Sequence, residues 1–233
     1  MPPYRAAMDP SPRPYHHGNL RAALLKTAER LLERDGPAAL TMRAIAREAG
    51  VSHTAPAHHF GDLPGLLADL AATGFTRLAE TMRRAATDPA PRAPLHAYVR
   101  FAQDHPGLYT LMFRSDRLDY GRESLAAASR EAWSILFRSV GSDTDSAAQA
   151  DLATTDLTTT DLTTLGHVTY RWSLLHGFCT LLLDRRLDPL LAAPSCGGDP
   201  HVLLDAMVPP PAATATVRPP PPAPESTSPP GCR

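Results

Sequence analysis

Cysteine is scarce in this chain of 233 residues, and the three that occur, Cys179, Cys196 and Cys232, are odd in number and widely spaced. With no Cys-x-x-Cys pair among them, the sequence excludes a disulfide framework and a structural zinc. Long apolar runs are missing too: none could span a bilayer, and no basic start followed by an apolar stretch marks a secretory leader. The expectation is a cytoplasmic protein with no membrane partner. Aromatics make up only 6% and β-branched runs are few, whereas Ala and Leu abound, which favours helices over sheets. A strong charge of either sign is also lacking. The formal net charge is −1, so any contact with nucleic acid has to come from a local basic face.

Such a face is expected near the N-terminus. Residues 1–65 hold eight Lys/Arg against six Asp/Glu and five of the ten histidines, while the remainder is mildly acidic. Proline, by contrast, is plentiful and sits at the ends. Pro2, Pro3, Pro10, Pro12 and Pro14 predict a flexible arm over 1–14, and the run from Pro209 onward predicts a disordered, polyproline-like tail over 209–233. Three five-residue units beginning at Asp151, Asp156 and Asp161 match neither the helix nor the strand period. They predict a low-complexity insertion over 145–160, with the third unit running into the next helix.

Between these segments the pattern is helical throughout. Leu20, Leu24, Ala28, Leu31 and Leu32 share one face of a helix that Asp35-Gly36-Pro37 ends. Thr41 opens a short helix carrying Ile45 and Ala46 inward, and Gly50 stops it. A third helix reaches Phe60, and Asp62 caps a fourth with Pro64 in its tolerant first turn. Leu63, Leu66, Leu67, Leu70, Gly74, Leu78 and Met82 then recur at helical spacing to about Ala85. Further helices are expected near 94–103, 106–113, 121–140, 161–187 and 200–208.

Residues 41–60 carry the chemistry. A short helix, a glycine turn and a second short helix form a helix-turn-helix, in which Gly50 supplies the positive φ that a tight turn between crossed helices requires. Val51 and Ile45 plug the joint and Phe60 closes the base of a three-helix core. Thr41 and Ser52 are expected to cap their helices and leave N–H groups free for phosphate. The second helix suits the major groove, so His53, Thr54, Ala55 and His58 would face base edges. Thr41, Arg43 and His59 would hold phosphates, and Arg5, Arg13 and Arg21 would add contacts from the arm. Pro56 admits two starts for the reading helix. With Ser52 as cap it removes the first internal hydrogen bond, and with Thr54 as cap it lies in the first turn; the second start is preferred.

These residues resemble the tetracycline-repressor-like regulators. The resemblance runs through Tyr15-His-His-Gly-Asn-Leu-Arg21, Thr41 to Phe60 and Leu66-Leu67. It extends to Ala102-Gln-Asp-His-Pro106-Gly-Leu-Tyr109, Met112-Phe113 and Trp172-Ser-Leu-Leu-His176-Gly177, which look like a WHG-type effector domain. It implies an all-α homodimer: a three-helix DNA-binding domain over 15–62, a connecting helix over 63–88, and a C-terminal effector-binding and dimerisation domain over 89–208. It further implies a transcriptional repressor released from a palindromic double-stranded operator by a small molecule. Two phosphate-gripping positions of the family depart here, as Ala57 stands for a usual Tyr and Leu63 for a frequent Lys. Weak DNA affinity with a shallow salt dependence follows. The alternative is an effector-binding or protein-interaction module that has lost useful DNA affinity.

Tyr109, Met112, Phe113, Trp133, Trp172 and His176 are the candidate effector-pocket residues, suited to an apolar or aromatic molecule. The dimer is expected to lean on the 161–187 helix through Trp172, Leu175, Cys179 and Leu182. His176 and Cys179 are three apart on one helix, but no orienting carboxylate or oxyanion hole accompanies them, so no enzyme is expected. The adjacent pairs His16-His17 and His58-His59 point apart, and neither metal nor cofactor is expected.

Overall fold

A computed structural model describes residues 20–90, 92–114, 116–140 and 162–208. The arm over 1–14 with Arg5 and Arg13, the segment from Tyr15 through His16-His17, the insertion over 145–160 and the tail over 209–233 lie outside the described residues. Within them the chain is all helical, with ten α-helices and no strand. No helix among the described residues is long and apolar enough to cross a membrane.

Helix α1 (Leu20–Asp35) buries Leu24, Ala28, Leu31 and Leu32, the face its apolar spacing predicts. A 3-10 turn (Pro37–Ala39) leads to α2 (Met42–Glu48), where Thr41 Oγ1 accepts the Ala44 N–H at 3.1 Å. Gly50 turns the chain at φ +69° into α3 (Ala55–Phe60). Phe60 is buried and Val51 packs on the same core, as expected. Asp62 Oδ1 accepts the Gly65 N–H at 2.8 Å and starts α4 (Leu63–Ala85).

Most of the described helices pack around α4. Helices α5 (Ala93–Asp104), α6 (Pro106–Met112) and α7 (Glu123–Val140) pack directly on it, while α1 and α3 pack near its start. Helix α8 (Leu162–Leu183) lies on α5 and α7. It ends four residues before the expected Leu187, because Arg185 turns the backbone to φ +59°. A short α9 (Asp188–Leu191) follows, with Pro189 in its first turn, and then α10 (Pro200–Met207). The Asp205 carboxylate ties α10 to α5 through His96 Nε2 at 2.8 Å and Arg92. Leu175 and Cys179 belong to this protomer's own core, so they are not available to a second copy as the sequence suggested.

Two close approaches fix how α4 is crossed. A Cβ on Gly74 would meet Met112 Sδ at 2.6 Å, where α6 crosses. A Cβ on Gly65 would meet the Phe60 carbonyl oxygen at 2.3 Å and the Arg122 guanidinium at 2.4 Å. The three-helix head is also fastened to the body by charge. Arg77 of α4 donates to both Glu29 oxygens, at 2.6 and 3.1 Å. Glu33 of α1 accepts the Gly107 and Leu108 N–H groups at 2.8 and 2.9 Å, capping α6, whose own cap residue His105 makes no side-chain cap bond. Because the helix dipole favours an anion at that end, the head supplies the charge the body helix lacks.

Gly65→Ala gains helix propensity of about 1 kcal/mol but overpacks a backbone carbonyl, which costs roughly 1–3 kcal/mol. A net loss of stability is expected in urea unfolding, and a stabilised variant would contradict the crossing described. Glu33→Ala removes the borrowed cap and should cost about 1–2 kcal/mol by the same measurement.

Candidate functional site

The outward edge of α2 and α3 collects the residues predicted for DNA contact. Thr41, Arg43, Ser52, His53, Thr54, His58 and His59 are all exposed there, whereas Ala55 is half-buried and Pro56 is buried. Ser52 does not cap α3. The helix begins at Ala55 after Thr54, which has helical φ/ψ and makes no side-chain cap bond, and Ser52 Oγ instead sits 3.1 Å from Thr54 Oγ1. The cause is Pro56. A helix begun after Ser52 would put it at the fourth helical position, where the first internal hydrogen bond needs an N–H. After Thr54 it falls in the first turn, and the His58 N–H makes that bond to the Thr54 carbonyl. The Thr54 start is the one the chain adopts. At six residues, α3 rises only about 9 Å.

Charge on this edge is cleaner than the composition suggests. Glu29 and Glu33 face the body, Asp62 caps α4, and Asp35 and Glu48 pair with Arg34 at 2.8 and 3.4 Å. Arg43 and Arg47 stand exposed on α2 with no carboxylate partner among the described residues. Arg47 was missed by the sequence reading, although its place four residues after Arg43 sets both on one helix face. Arg21, expected to reach DNA, is committed elsewhere: it donates to Asp69 Oδ2 at 2.7 Å and lies 5.3 Å over the Phe60 ring.

The second candidate site is an aromatic cluster in the body. Trp133 and Trp172 meet edge-on with ring centres 4.5 Å apart, and Phe113 lies 4.4 Å from the His176 ring. Trp172 and Tyr109 each stack near His176 at 5.5 and 5.7 Å. A cavity opens beside this cluster, lined by Phe113, Trp133 and Trp172 together with Phe75, Met82 and Tyr98. Tyr109, Met112 and His176 back the cluster without lining the cavity, while Phe75, Met82 and Tyr98 were missed because a core stripe on α4 or α5 carries no mark of a cavity. The free space is about 10 Å³, room for a single water centre.

Polar groups in the cluster are neutral and mutually satisfied. Tyr98 OH lies 3.2 Å from Tyr109 OH, which lies 2.8 Å from His176 Nδ1. Burial raises both phenols well above their ordinary range and lowers His176. The same burial pushes the Cys179 thiol up to about 12. A thiol held protonated and enclosed is no nucleophile at neutral pH, which removes the support for a His176–Cys179 reaction centre.

Both halves of this arrangement match known families. Residues 24–70 fit the model for bacterial regulatory proteins of the tetR family, and residues 92–208 fit that for the tetracyclin repressor-like C-terminal domain. The chain belongs to the tetracycline-repressor family. Its fold and domains are those of a DNA-binding transcriptional regulator. A solved protein of unknown function from Rhodococcus sp. RHA1 is 33% identical, with a TM-score of 0.62 over 84% of this chain and 95% of that one. A protein described as regulatory, SCO4313, is 25% identical with a TM-score of 0.61, over 84% and 96% of the two chains. The uncharacterized HTH-type transcriptional regulator YobS of Bacillus subtilis (strain 168) is 27% identical over 96 residues, 40% of this chain and half the length of that relative.

Acid should weaken this regulator in a defined direction. His176 is held below its ordinary value by burial, and His201 by burial and the charge of neighbouring His96. The folded state therefore binds fewer protons than the unfolded chain. Stability present above the ordinary imidazole value of about 6.5 is lost as pH falls through and below it. The urea midpoint should drop between about pH 7.5 and 5.5, and His176→Gln should remove part of that drop. An identical drop in the variant would show that His176 does not contribute.

Proposed function

We propose that this regulator is a homodimeric repressor whose two three-helix heads hold a palindromic operator and are released by a small apolar or aromatic effector. The observation that carries the reading is the α2–α3 edge, where Arg43 and Arg47 stand free while the head's acids are engaged elsewhere. In this reading Thr41, Arg43, Arg47 and His59 hold phosphates, and His53, Thr54, Ala55 and His58 meet base edges, with Ser52 beside them. The head extends over 15–62, α4 links it through 63–88, and residues 89–208 bind effector and dimerise.

The dimer reading rests on α8. The side of that helix that does not pack on its own protomer carries large apolar and small residues, interrupted by exposed Thr169, Ser173 and Thr180. Tyr170, 66% exposed, and Leu181 lie on the free side, with Gly166 and Gly177 facing open space between and beside them. Large exposed apolar side chains grouped on one face mark an interaction surface, and small residues beside them let a second helix approach closely. Leu190, Val202 and Met207 extend the same exposed apolar character through α9 and α10. The effector reading rests on the aromatic cavity, which has no carboxylate or cation among its lining residues. An entering molecule has to part the walls around it, and its affinity difference between open and closed states sets how far it can shift the heads.

The second reading, a module with lost DNA affinity, is favoured by the six-residue α3 and by Ala57 and Leu63 at two positions that often grip phosphate. Selection of bound sequences from random double-stranded DNA separates the two. A two-fold symmetric site supports the repressor; recovery of no sequence supports the module. With a selected site in hand, the salt dependence of binding should be shallow. Arg43→Gln and Arg47→Gln should each weaken binding evenly across sequences and lower the salt slope by about 1. Unchanged slopes would remove both arginines from the interface.

A further inference from the structure

We propose that Asp69 is the positioning residue that fixes the reading head at one angle to the body, and that it does so only while the cavity stays closed. The proposal rests on the regulator reading above for its biological use, but not for its geometry.

Asp69 is the one acidic side chain fully buried among the described residues, with 3% of its side chain exposed. A carboxylate this deep survives only if every oxygen is partnered. Its partners come from opposite parts of the molecule. From the head, Arg21 donates to Oδ2 at 2.7 Å. From the start of α7, Ser124 Oγ donates to Oδ1 at 2.9 Å, and Arg122 Nε lies 3.5 Å from the same oxygen. Each arginine then reaches the end of the reading helix: Arg21 covers the Phe60 ring, and Arg122 lies over Gly65 beside the Phe60 carbonyl. One buried anion thus gathers α1, the end of α3, α4 and α7.

The same two body helices wall the cavity. Phe75 and Met82 belong to α4, and Trp133 belongs to α7. Phe75 lies about 9 Å along α4 from Asp69, and Trp133 about 14 Å along α7 from Ser124. Since the cavity holds no more than a water, anything larger has to part its walls, and a slide of α7 on α4 is the parting that reaches Asp69. A displacement of about 1 Å carries the Ser124 bond beyond hydrogen-bonding distance, and loosens Arg122 as well. Asp69 would then keep only Arg21, and a half-partnered buried carboxylate favours release of the whole junction. A small slide at the cavity becomes a discrete change at the head.

The test reads geometry without DNA or effector. Spin labels go on the full-length chain at Ala57→Cys in the head and Gln103→Cys in the body, with Cys196→Ser and Cys232→Ser and labelled chains diluted in unlabelled ones. One narrow distance is expected for the parent. Asp69→Asn should broaden or displace it, Asp69→Glu should partly restore it, and Ser124→Ala should broaden it if Asp69→Asn fails to fold. Operator binding by Asp69→Asn should fall about tenfold once a selected site is known. A distance distribution unchanged in both Asp69→Asn and Ser124→Ala, or unchanged in Ser124→Ala where Asp69→Asn does not fold, overturns the proposal even if DNA binding weakens. Failure of the parent to select DNA overturns the regulator reading instead and leaves the distances to decide this one.

Discussion

From Gly65 to Phe75 helix α4 has no exposed residue, because the head, α5, α6 and α7 all pack on it, and beyond, at Thr76, Glu80, Arg83 and Arg84, it keeps a solvent face. This constraint organises the other elements. A helix whose first half is enclosed in this way cannot tilt or rotate alone, since close-packed side chains resist any gap. The head therefore does not hang from a rod; it shares a core with the body. Glycine occurs where the crossings are tightest, at Gly65 and Gly74, and charge occurs where the shared core reaches its edge, at Glu29–Arg77 and at Glu33 on α6.

The aromatic cluster obeys a similar economy. Tyr98, Tyr109 and His176 satisfy one another in a short chain of polar atoms, so their burial costs little beyond desolvation. The chain is neutral at physiological pH, and the rings around it present only apolar faces. For the effector proposed above, selectivity would come from shape and ring stacking, because no fixed charge among the lining residues demands a counter-charge.

Much of this was legible in the residues. The apolar stripe from Leu66 to Met82 gives α4, Thr41 and Asp62 give two helix starts, and Gly50 gives the turn, since each rests on local chemistry that tertiary packing did not override. Pro56 likewise signals the late start of α3. What was illegible depends on distance in space. Nothing near Arg21 in the chain announces Asp69, and nothing near Glu33 announces the α6 N-terminus. Leu175 and Cys179 were assigned to an interface because the apolar pattern of α8 does not say which face meets its own protomer. For the cavity, the sequence supplied Phe113, Trp133 and Trp172 but not their α4 and α5 neighbours, because a core residue and a cavity-lining residue look alike in one dimension.

The brevity of α3 has a thermodynamic consequence. Six residues with a proline near the start fall well short of the dozen or so that a helix needs to persist unaided in water. The reading helix therefore exists on loan from the packing of Pro56 and Phe60 against the head's core. Any event that loosens that packing does more than move the reader to a new spacing; it melts it. In the homodimer proposed above, two heads that missed their half-sites by a small distance would still hold one of them, whereas heads whose reading helices had unravelled would hold neither.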